Sequence, residues 1–212
     1  MNRSNISFCT TKLQAILVFM CIVFLPILLL LISGVTLSRI FVHIMNYPVK
    51  IFITWFSMGL SFVFLPYLFI KKNNKVSLAD FGILKITKKE FIFCLTVIIS
   101  LYSFLILRTN SVYIIIIATL QNLGVAFSEE FFNKGVMFFQ SKKIFSNSVF
   151  VVVLCSLVFA FILHSADPPL VNLFYRFPLG LITGYAYLKT NKLYIPVTIH
   201  FINNMLSTGL LN

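Results

Sequence analysis

Charge interrupts this chain only briefly. Apolar runs fall near residues 13–33, 51–70, 91–107, 112–139, 148–164, 173–188 and 193–211 of a 212-residue sequence. In water that much apolar surface has too little polar surface to cover it. In a bilayer the same runs fit: about 20 apolar residues at ~1.5 Å each cross a ~30 Å hydrocarbon core. A helix also satisfies every backbone group within the segment, as lipid requires. The expected fold is all-α, a polytopic transmembrane helical bundle of about seven spans. A mean hydropathy of +1.00 agrees, and spans of this length leave no room for a separate soluble domain. Segment 34–50 is less apolar, carries Arg39, His43 and Lys50, and ends at Pro48. It reads as an interfacial helix or short re-entrant piece, with His43 an interfacial residue. Pro168-Pro169 should end the preceding helix in an extended connection. Pro178 and Pro196, inside apolar runs, should kink theirs. Gly180 and Gly184 give one helix face a close approach to a neighbour.

The net charge of +12 raises nucleic acid as a partner, and the arrangement of the charges excludes it. The basic residues cluster between apolar runs, the pattern of loops retained at a cytoplasmic surface beside anionic membrane lipid. With the N-terminus inside, the inner segments carry Arg3, Lys12, Lys71, Lys72, Lys75, Lys85, Lys88, Lys89, Lys142, Lys143, Lys189 and Lys192, and the outer ones only Arg39, Lys50, Arg108 and Arg176. The expectation is an integral plasma-membrane protein, bacterial in its compactness, with a cytoplasmic N-terminus. Loop 71–90 is its main cytoplasmic excursion, and Asp80 and Glu90 there read as solvated surface. The run from Leu13 to Ile32 is long for a cleaved signal and reads as a retained first helix. Cys9, Cys21, Cys94 and Cys155 show no paired spacing and read as small hydrophobes.

Against this background the acidic pair Glu129-Glu130 and the histidines His164 and His200, all in apolar segments, stand out. An ionisable group in hydrocarbon costs at least ~2.5–3.5 kcal/mol, so such groups usually mark a site. Consecutive glutamates point about 100° apart on a helix. Lys134 follows Glu130 at the favourable i, i+4 spacing, which neutralises Glu130 and leaves Glu129 as the free carboxylate. His200 and Asn204 share a face by the same spacing and can orient a water or hold an oxyanion. With His164 from another helix, the set suffices for general-base hydrolysis of an amide. Glu129, His164 and His200 could also bind zinc, since two His and one Glu is a catalytic donor set, although no H-E-x-x-H is present. Counting along straight helices from the inner loops places His200 roughly 12 Å deep and His164 roughly 27 Å, so tilt or a later helix start must bring them together.

Glu129-Glu130-Phe131-Phe132-Asn133-Lys134-Gly135 resembles the E-E-x-x-x-R-G motif of the CPBP (Abi) family of CAAX-type prenyl proteases and bacteriocin-processing or immunity proteins. Phe159 to His164 is similar to its F-x-x-x-H motif, and His200-Phe201-Ile202-Asn203-Asn204 to its H-x-x-x-N motif. The likeness covers about residues 112–208. It divides the chain into N-terminal helices and loop, 1–111, and catalytic core helices, 112–212. Two departures stand out: Lys134 replaces Arg, and Ala160 occupies the usual Phe position. The resemblance implies an intramembrane endopeptidase acting on a membrane-associated peptide or membrane-tethered protein, in bacteriocin self-immunity or maturation. In it Glu129 activates water, His164 assists, and His200 with Asn204 forms the oxyanion site. The alternative is a non-catalytic membrane immunity or scaffold protein of the same fold. A transporter ranks behind both, for want of repeated halves.

Overall fold

The computed structural model describes residues 12–73, 76–109 and 111–207. Arg3, Cys9, Lys75 and the end of the 193–211 run lie outside the described residues. Among the described residues seven helices follow one another: α1 (Lys12–Ile40), α2 (Tyr47–Lys72), α3 (Lys88–Arg108), α4 (Val112–Ile144), α5 (Ser148–Leu163), α6 (169–190) and α7 (Tyr194–Ser207). The first four are long and apolar enough to cross a membrane. Helices α5 to α7 are shorter and pack around α4.

Segment 34–50 does not form the separate interfacial piece expected. Its first part continues α1, a short 3-10 turn spans Val42–Ile44, and Pro48 starts α2 instead of ending an element. Asn46 caps α2, its Oδ1 accepting from the Val49 backbone N–H at 3.0 Å, and proline suits the first turn because its missing N–H would be unpaired there anyway. The same logic removes the kink expected at Pro196, which lies in the first turn of α7. Pro169 likewise opens α6 after an extended Pro168.

Asp80 and Glu90 are on the surface as expected, and each also holds structure. Asp80 closes a capping box with Ser77. The Glu90 carboxylate accepts from the Thr87 backbone at 2.8 Å and from Lys192 Nζ at 2.6 Å, tying the start of α3 to the α6–α7 connection. That carboxylate raises the pKa of Lys192. Beside it, the Leu193 backbone N–H donates to the Gly82 carbonyl at 2.8 Å. Phe81 from this loop is fully buried against Phe131 and Phe139 of α4.

Three glycines set how closely helices approach one another. A Cβ at Gly184 would lie 2.8 Å from Val152 Cγ1, and one at Gly180 3.0 Å from Ser156 Cβ. This is the close α6–α5 approach expected from their spacing. A Cβ at Gly124 would collide with the indole of Trp55, whose Nε1–H donates to the Leu120 carbonyl at 2.9 Å. Among the described residues four π-helical turns interrupt the α-helical pattern, at Gly59–Phe64, Phe131–Met137, Phe159–Leu163 and Asn172–Arg176. Such turns fit one extra residue and often occur at functional sites. Three of the four lie beside the polar groups described next.

Candidate active site

The acidic pair sits near the middle of α4, directly before the π turn at Phe131–Met137, where every side chain is buried. Glu130, 1% exposed, faces α7, and His200 Nδ1 lies 2.9 Å from its Oε1. An ionised carboxylate only accepts, so Nδ1–H donates and the ring presents Nε2 on its other side. The expected Lys134 partner is present, Nζ standing 3.9 Å from Glu130 Oε2. Lys134 also donates to the Gly180 carbonyl at 3.3 Å and lies 5.8 Å above the Phe159 ring. Glu130 is therefore more than a neutralised charge, because it also orients His200.

Glu129 Oε2 lies 3.6 Å from Nε2 of His164 and 3.6 Å from Nε2 of His200. All three atoms are buried, and none has a hydrogen-bond partner, which is uncommon for buried polar atoms. They open on a cavity of about 240 Å³. One wall is Asn122, Val125 and Glu129 of α4, and the facing wall is His200, Asn204 and Ser207 of α7, each set at alternating three- and four-residue spacing. His164, Tyr175 and Arg176 close it from α5 and α6. The structure thus brings Glu129, His164, His200 and Asn204 to one cavity. The difference in depth counted along straight helices does not keep the two imidazoles apart, since both Nε2 atoms lie 3.6 Å from Glu129 Oε2. The three zinc donors read from the sequence are neighbours here. Among the described residues, however, no group of three or more His, Cys, Asp or Glu side chains is arranged to hold a metal ion.

Residues 114–206 match the family described as type II CAAX prenyl endopeptidase, Rce1-like. This core is similar to that family. The match agrees with the resemblance carried by the three motifs and covers the helices that line the cavity. No curated protein and no solved structure matches the chain.

Within the Rce1-like core, the π turn accounts for the displaced phenylalanine. In a π turn residues five apart come into register, instead of four. Phe159, five before His164, therefore occupies the place that F-x-x-x-H gives a Phe four before His on an α-helix. Its ring meets His164 edge-on at 4.8 Å and His200 at 5.7 Å. Sequence reasoning missed three further residues. Asp167 Oδ2 lies 3.6 Å from His164 Nδ1 and accepts from Arg176 Nε at 3.2 Å. Asn172 Nδ2 donates to the His164 carbonyl at 2.9 Å. Asp167 had a visible clue, an acid three residues after a site histidine in a chain with five acids. Arg176, expected only as an outer topology charge, had none.

Proposed function

We propose that this chain is an intramembrane endopeptidase that hydrolyses a peptide bond in a membrane-associated peptide or membrane-tethered protein. The observation that carries the reading is the convergence of three buried atoms without hydrogen-bond partners, Glu129 Oε2, His164 Nε2 and His200 Nε2, on one cavity. A water on the cavity side can bond to all three. Glu129 takes a proton from it as the oxygen attacks the carbonyl carbon. His200, flanked by Glu129 and Glu130, donates from Nε2 to the oxyanion in its doubly protonated form, with Asn204 as second donor. Glu129 then gives that proton to the leaving amine as the C–N bond breaks and returns to the carboxylate, while His164 Nε2, with the ring proton at Nδ1, accepts a hydrogen bond from the attacking water. The basic-residue asymmetry supports a cytoplasmic N-terminus in a bacterial plasma membrane, and bacteriocin self-immunity or peptide maturation suits a protease there.

The test compares membrane proteomes of cells expressing wild type or Glu129→Gln and maps new peptide termini. Termini that appear with wild type only are the expected result. Equal termini from a folded variant at equal level would remove Glu129 as the base. The replacement of Arg by Lys134 favours a second reading, a non-catalytic immunity or scaffold protein, because an ammonium lacks the two-pronged guanidinium grip. Protection from a bacteriocin that survives Glu129→Gln would select that reading.

A further inference from the structure

The two site imidazoles are held in matching ways. His200 has Nδ1 on the Glu130 carboxylate, Nε2 towards Glu129, and Lys134 behind Glu130. His164 has Nδ1 3.6 Å from the Asp167 carboxylate, Nε2 towards Glu129, and Arg176 Nη2 3.2 Å behind Asp167. Each arrangement runs cation, carboxylate, imidazole, Glu129. The first is built from the E-E-x-x-x-K segment of α4. The second is built from the α5–α6 connection and α6, outside the three motifs.

From this correspondence we infer that Asp167 and Arg176 are positioning residues for His164, the counterparts of Glu130 and Lys134 for His200. The inference rests on the endopeptidase reading for its role in turnover. A carboxylate on Nδ1 keeps the ring proton there, fixes the ring's rotation, and leaves Nε2 aimed at the reacting groups. Arg176 holds that carboxylate through Nε and Nη2, both to Oδ2. The turn carrying Asp167 is fixed independently. Its backbone N–H donates to the His164 carbonyl at 3.0 Å, and buried Asn172 bonds the same carbonyl from α6. Phe159 braces the ring edge-on. The two arrangements differ in setting: the Glu130 side chain is 1% exposed, whereas that of Asp167 is 35% exposed. The His164 contact is accordingly the longer of the two, 3.6 Å against 2.9 Å.

The protein has three histidines, His43, His164 and His200, so ring-¹⁵N NMR of the full chain in lipid nanodiscs can resolve each, with His→Gln variants assigning them. Asp167→Ala is expected to move the ring proton of His164 from Nδ1 towards Nε2 and to leave His200 unchanged. Should that variant not accumulate, the same-sized Asp167→Asn replaces it. Unchanged His164 nitrogens in the variant would overturn the inference. The appearance rate of wild-type-specific termini supplies the second readout. Asp167→Ala should slow it about 10–100-fold, Asp167→Glu should recover part of the loss, and Asp167→Ala should add nothing in a His164→Ala background. A further loss in that background would overturn the positioning role. Absence of any termini with wild type would refute the endopeptidase reading instead, and the ring nitrogens would still decide this one.

Discussion

Lys134 is 1% exposed in the centre of the bundle, and its removal tests how the site is held. Its charge partner is Glu130, Nζ to Oε2 at 3.9 Å. At an effective dielectric near 20, two unit charges at that separation attract by roughly 4 kcal/mol. Lys134→Met removes the ammonium 3.9 Å from buried Glu130, at a cost of about 3–5 kcal/mol. In a protein of this size that lowers the melting temperature by roughly 6–20 °C. Glu130→Gln alone strands the ammonium but keeps an oxygen to accept from His200 Nδ1. The double variant Glu130→Gln with Lys134→Met strands neither charge, so it should be more stable than Lys134→Met alone. The assay is thermal unfolding in one detergent for all four proteins, read as a double-mutant cycle. A coupling energy under about 1 kcal/mol, the size of an exposed pair, would refute the argument. Lys134 would then serve chiefly the Gly180 carbonyl and the Phe159 ring.

Three other outcomes are expected. Gly184→Ala places a methyl 2.8 Å from Val152 Cγ1 and should destabilise by about 1–3 kcal/mol; Val152→Ala in the same chain should recover part of that in the unfolding assay. Gly124→Ala should displace Trp55, the single tryptophan, and shift its fluorescence emission, so an unchanged spectrum would contradict the α2–α4 packing. Phe159→Ala should slow the release of wild-type-specific termini. Adding Ala160→Phe, which recreates F-x-x-x-H in the sequence, should not restore it, because the π turn gives position 159 and not 160 the motif's place; recovery would show the register to be wrong.

The helical fold was legible because lipid permits few ways to satisfy a backbone, so apolar runs translate almost directly into helices. Glu129, Glu130, His164 and His200 were legible because charge is costly there, and their mere presence asks for a reason. Boundaries read less well. Pro48 and Pro196 looked like breaks in apolar runs, yet both sit in first turns, where a missing N–H costs nothing. Those positions depend on where neighbouring segments end, which local composition does not specify.

By itself the sequence determined that this chain crosses a membrane as helices and that α4, α5 and α7 carry the ionisable groups. Hydrophobic patterning and the cost of buried charge act residue by residue, so they can be read along one dimension. Only the tertiary structure decided which imidazole meets which carboxylate. The spacing paired Glu130 with Lys134, but only packing placed His200 against Glu130 and brought Asp167 and Arg176 behind His164. It also put Phe159 in the place expected of residue 160, because a π turn shifts register without changing composition. Contacts between helices depend on rotation and closeness, here set by π turns and by glycines that admit Val152 and Trp55, and these act through space and not along the chain.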